Sequence, residues 1–78
     1  MVDVIPLNVL RRGEVASVTQ LLGSPEALRR LHELGLRTGA MIEIVRGGSP
    51  CIVRLDGSTI CFRDDVRVRI LVSPRKTG

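Results

Sequence analysis

The sequence predicts a small, mainly β domain of about five short strands, with one short helix inserted at about residues 25–34. Three observations predict it. Short runs rich in Val, Ile and Thr alternate in polarity between glycine-marked breaks. An Asp56-Gly57 pair stands between two such runs. One stretch alone, "SPEALRRLHELG", carries both the start and the stop marks of a helix. Short antiparallel strands with little apolar area manage their edges best by curling into a small barrel. An open two-layer α+β arrangement is the structural alternative.

The 78 residues make one domain, read here as residues 1–72, with 73–78 as a mobile basic tail. A core this small supplies roughly 3–5 kcal/mol by itself and leaves little room for a deep substrate cleft. That favours a binding or regulatory module over an enzyme. Aromatics are nearly absent, Phe62 being the single one, so the core must be aliphatic.

Taken in order, Pro6 marks an entry or edge segment. "LNVLRRG" can hold one helical turn, with Leu7 and Leu10 on one side and Gly13 ending it. Residues 14–22 alternate as a strand until Leu21 and Leu22, where the pattern shifts and a bulge or strand end is expected. Ser24 is a good N-cap, Pro25 takes the first helical position, and Glu26 suits the positive end of the macrodipole. Leu28, Leu31 and Leu34 form the inward stripe, and Gly35 ends the helix in the left-handed conformation. Gly39 turns the chain into the strand at 41–46.

The Asp56-Gly57 pair favours a type I′ turn. That register opposes Leu55 to Ser58, Val53 to Ile60 and Cys51 to Phe62 on one face, with Ile52, Arg54, Thr59 and Cys61 on the other. In the last strand Val66, Val68, Ile70 and Val72 point inward, and Arg67 and Arg69 outward.

Candidate chemistry is sparse. His32 is the single histidine and lies on the helix off the leucine stripe. A transition-metal site needs three or four converging ligands, and none stands at helical spacing from it. His32 and Cys61 are the only metal candidates, and no metal or cofactor is expected. Cys51 and Cys61 fall on opposite faces under a two-residue turn; a three-residue turn would bring them together. Two cysteines in a small cytosolic chain read as thiols. Asp64 and Asp65 are adjacent, so on an extended chain they point apart and serve a turn rather than acid–base work. No nucleophile–base set or phosphate loop is present, and no catalytic residue is assigned.

Twelve basic residues, eleven of them Arg, give a net charge of +4, but they are scattered. A small basic β-barrel binding nucleic acid is the alternative reading. Single-strand binders use aromatic stacking platforms, which this chain lacks, so nucleic acid is not expected. The start "MVDVIPLNVL" has no basic leader and no apolar run approaches a membrane span. A cytoplasmic protein without membrane insertion is expected. Short edge strands leave a homo-oligomer open.

From about Leu7 to Val72 the chain resembles the FeoA family. The resemblance rests on Leu7, Leu10, Gly13 and Glu14, then on "RRLHELGLRTG", then on the Gly-Ser-Pro loop, Val53, Leu55, Gly57 and "ICFRDD". It departs at Cys51, where an aliphatic is usual, and at His32, where Leu or Arg is common. The resemblance implies an SH3-like barrel with a helical insertion. It implies a non-enzymatic accessory or regulatory role in bacterial ferrous iron uptake, and a partner, the FeoB transporter with its cytosolic G-protein domain. The family-signature positions are Leu28, Leu31, Leu34, Gly35, Gly39 and Gly57. Arg29, Arg30, His32 and Glu33, on the helix face away from the leucines, are the candidate partner-binding residues.

Overall fold

The computed structural model of the chain describes residues 4–48, 50–62 and 68–75. Six antiparallel strands form one sheet: β1 (Ile5–Pro6), β2 (Val15–Gly23), β3 (Met41–Arg46), β4 (Cys51–Leu55), β5 (Ser58–Phe62) and β6 (Val68–Pro74). Their spatial order is β1-β6-β2-β3-β4-β5. The one α-helix among the described residues, α1 (Pro25–Glu33), connects β2 to β3. The five longer strands are those expected; β1 adds a two-residue edge beside β6. β6 runs to Pro74, and the Arg75 N–H donates to the Val15 carbonyl at 2.8 Å, so ordered pairing continues past Val72. Ser49, Val66, Arg67, the Asp64-Asp65 pair and residues 76–78 lie outside the described residues.

Among the residues whose side chains are described, the core is aliphatic apart from one cysteine. β2 supplies Ala16 and Val18, β3 Ile42 and Ile44, β4 Val53 and Leu55 with Cys51, β5 Ile60, and β6 Ile70 and Val72. These positions alternate because successive strand side chains point to opposite faces. Leu7 and Leu10 close one side of the core as expected. They do so from a one-turn 3-10 helix at Leu7–Val9, not from a turn ending at Gly13. Gly13 instead stands third in a separate turn over residues 11–14, closed by the Glu14 N–H to the Arg11 carbonyl at 3.1 Å. That turn is pinned to β3 through Ile44 in both directions, at 2.8 Å each.

The pattern shift in β2 comes from a bulge at Thr19, earlier than Leu21 and Leu22. Val18 opposes Val72 and Gln20 opposes Leu71, which leaves Thr19 as the extra residue. Its hydroxyl donates to the Leu71 carbonyl at 2.9 Å, a bond the hydroxyl can make where the ladder is broken. Past the bulge the parity flips, and Leu21 packs against the core where an even-numbered residue would otherwise have turned inward. A second register shift, between Ile44 and Arg46, bends β3 against β4.

The β4–β5 hairpin follows the expected register at every pair, from Leu55↔Ser58 to Cys51↔Phe62. Asp56 and Gly57 both have positive φ, 49° and 81°, as a type I′ turn requires.

Candidate functional site

The helix is built by local interactions at both ends. Ser24 Oγ accepts from the Ala27 N–H at 3.2 Å, satisfying one of the orphan donors of the first turn. Pro25 opens the helix and Glu26 lies in its first turn. At the far end the Gly35 N–H donates to the His32 carbonyl and the Leu36 N–H to the Leu31 carbonyl, both at 2.9 Å. This crossed pair of bonds is a Schellman motif, made possible by Gly35 at φ 93°.

That exit corrects the expected leucine stripe. Leu31 is buried and Leu28 packs against the core, but Leu34 is 51% exposed. Leu34 is the C-cap, still right-handed helical (φ −80°, ψ −4°) with its N–H donating to the Arg30 carbonyl at 3.2 Å. It keeps the helical spacing but stands at the end of the stripe, where the core does not cover it. Leu36, brought back by the Schellman bonds, takes the buried position beside Leu31 with no exposure at all. A hydrophobic contact across those two positions commonly accompanies the motif. From there residues 37–40 turn through Gly39 (φ 93°), the Ala40 N–H closing onto the Arg37 carbonyl at 3.0 Å. The turn is tied to β2 by the Gly39 N–H to the Val18 carbonyl, 2.7 Å, and the Val18 N–H to the Ala40 carbonyl, 2.8 Å.

The consequence is a short helix held down on one side and open on the other. Arg29, Arg30, His32 and Glu33 are all exposed. The ion pair found among the described residues lies elsewhere, between Arg54 Nη1 and Glu43 Oε1 at 3.3 Å, with both side chains about half exposed (55% and 45%). Such a pair contributes about 0–1 kcal/mol. Arg29 and Arg30 are thus not engaged with Glu33, although both lie at helical contact spacing from it. Exposed Leu34 comes directly after Glu33 and adds an apolar side chain to this end of the helix. Sequence periodicity missed it because the stripe was extended one turn too far. Gly35, read as the stop, was the available signal that Leu34 stands at the very end of the helix.

The metal candidates are not brought into a cluster. No group of three or more His, Cys, Asp or Glu side chains converges among the described residues. Cys51 is buried and Cys61 exposed, both as free thiols, on the opposite faces that the two-residue turn dictates. Burial first, and the nearby Cys61 second, push the Cys51 thiol up from its ordinary value. No polar or charged side chain is buried among the described residues. No helix among them is long and apolar enough to cross a membrane.

Comparison with known proteins bears on the whole domain. The FeoA domain model matches residues 5–74. The solved structure described as iron uptake regulatory protein (FeoA) superposes with a TM-score of 0.83 at 25% identity, covering 94% of this chain and 100% of that one. No curated protein matches. The family match over 5–74, together with this likeness over nearly the whole of both chains, places the mainly β, SH3-like chain in the FeoA family.

Proposed function

We propose that this chain is a non-enzymatic accessory protein of ferrous iron uptake, acting in the cytoplasm by binding an FeoB-like transporter on its cytosolic side. The observation that supports it most is the family match over nearly the entire chain, joined to a structural neighbour described as an iron uptake regulatory protein. A domain whose described residues form an aliphatic core and bring no ligand set together is suited to acting through its surface. The binding surface is the outer face of α1. Arg29, Arg30, His32 and Glu33 supply unengaged polar groups, and Leu34 supplies an exposed apolar side chain beside them. Arginine is enriched at protein interfaces, and the buried centre of an interface is more apolar than its rim.

Calorimetric titration into the transporter's cytosolic domain, with and without guanine nucleotide, tests the reading. Saturable binding is the expected result, and nucleotide dependence identifies the state that is read. The double change Arg29→Glu, Arg30→Glu should weaken binding by at least about tenfold, on the order of 1.4 kcal/mol, while leaving the thermal melt in place. Full-strength binding by the folded double variant would remove α1 from the interface. Absence of binding to both the domain and the full transporter would overturn the proposal.

A further inference from the structure

The two edges of the sheet are unlike. One is β1, two residues long, whose Pro6 lacks a backbone donor. The other is β5, Ser58–Phe62, five residues in unbroken register with β4. The β2–β6 and β3–β4 ladders each carry a register shift, but β4–β5 carries none. Sheets usually protect an edge with charge, proline, a bulge or brevity. "STICF" has no charge and no proline, and its ladder has no bulge.

Hairpin geometry determines which backbone groups lie open. Leu55↔Ser58 closes the two-residue turn and therefore exchanges hydrogen bonds. Antiparallel alternation makes Val53↔Ile60 and Cys51↔Phe62 bonded pairs as well, and leaves Arg54↔Thr59 and Ile52↔Cys61 unbonded. The N–H and C=O groups of Thr59 and Cys61 thus point away from β4. Neither residue makes a backbone bond elsewhere among the described residues, and both are exposed.

We propose that β5 is a self-pairing edge, onto which a second copy of this chain adds its own β5, antiparallel, about a two-fold axis at Ile60. In that register Thr59 faces Cys61 of the second copy, and the reverse. Each such pair exchanges two bonds, so every open group on both strands finds a partner. Identical strands meet without like-charge repulsion because the strand itself is uncharged, and Arg54, opposite Thr59 on β4, is engaged with Glu43. The inference is independent of transporter binding.

Sedimentation of the full chain across a micromolar-to-millimolar series should show a reversible dimer. Thr59→Pro removes an outward N–H and leaves the β4 bonds alone, a place where an edge strand accepts proline. It deletes two intermolecular bonds, so the dimer dissociation constant should rise about tenfold or more with the circular dichroism unchanged. Should that variant misfold, Thr59→Lys keeps the N–H, places charge on the edge, and should shift the constant the same way.

Register has its own readout. A bonded pair sets its Cα atoms about 5.5 Å apart, within disulfide range. Thr59→Cys treated with diamide should therefore give a covalent dimer whose mapped peptides join position 59 to Cys61. The wild-type chain, with Cys61 facing Thr59, should not cross-link at this edge. A wild-type chain that stays monomeric throughout would overturn the proposal and leave the edge to a strand of another protein. So would a dimer unaffected by either Thr59 change, or a cross-link mapped to other residues.

Discussion

The chain reverses through a left-handed glycine both after α1 and between β4 and β5, and the two reversals are held by different forces. At the hairpin, Asp56 and Gly57 supply the torsions, and a Cβ added to Gly57 would meet nothing within 4 Å. At the helix exit, a Cβ on Gly35 would sit 3.4 Å from Leu55 Cδ2, and the next residue, Leu36, is wholly buried. The hairpin is thus a torsional preference with solvent around it. The handover combines the same preference with a piece of the core. The first should tolerate much on its outside; the second should be sensitive to the side chain at position 36.

The largest expected effect tests that distinction. Leu36→Ala should cost about 2–5 kcal/mol in urea unfolding, as for other buried leucines. Leu34→Ala, two residues earlier but exposed, should stay within about 0.5 kcal/mol. Equal costs would mean that the reversal does not sort the two leucines into one buried and one exposed.

A third glycine sharpens the comparison because its constraint is purely steric. Gly47 has no positive φ, yet a Cβ there would lie 2.6 Å from the Leu10 carbonyl oxygen. Backbone cannot swing aside as a side chain does, so Gly47→Ala should destabilise by about 1–3 kcal/mol. A neutral result would show that the entry segment at Leu10 and Arg11 shifts freely. Next come Gly35→Ala and Gly57→Ala, each expected to cost about 1–2 kcal/mol from the left-handed backbone. Because the added methyl reaches only ordinary contact at Gly35, the two should differ little, and a much larger loss at Gly35 would point to tighter packing against Leu55.

The smallest effect concerns pH and the core end of the hairpin. Cys51 has its thiol raised by burial, so the folded state holds its proton where the unfolded state has released it. Its contribution is fully present below the ordinary value of 9.0 and is lost as pH rises toward the raised value. Stability should therefore fall as pH rises above about 9, and Cys51→Ala, though less stable overall, should lose that part of the slope. At neutral pH a thiol reagent should modify exposed Cys61 rapidly and buried Cys51 only on unfolding. Equal reactivity would contradict the face assignment of the hairpin.

Much of this molecule was legible before its structure. The Ser24 cap, Pro25 start and Gly35 stop bounded the helix, and Asp56-Gly57 determined every pair of the β4–β5 ladder. The outward position of Arg29, Arg30, His32 and Glu33 came from helical spacing. The resemblance carried by "RRLHELGLRTG" led to the family that the comparisons then showed. Less legible were positions where a periodic pattern ends. Leu34 was drawn into the stripe because spacing alone does not register where along the helix the core stops covering it. The β2 shift was placed at Leu21 because apolar residues advertise parity and a bulging threonine does not.

The sequence by itself determined the features governed by torsions and hydrogen bonds within a few residues: the helix ends, the type I′ turn and the alternation of each strand. Only the tertiary structure decided which leucine is buried after the helix and where β2 bulges against β6. Pro6 already marked an entry or edge segment in the sequence, but the strand order decided that β5 is the other, open edge. Each of these depends on contacts between segments far apart in the chain, where neighbouring residues carry no record of which surface will cover them.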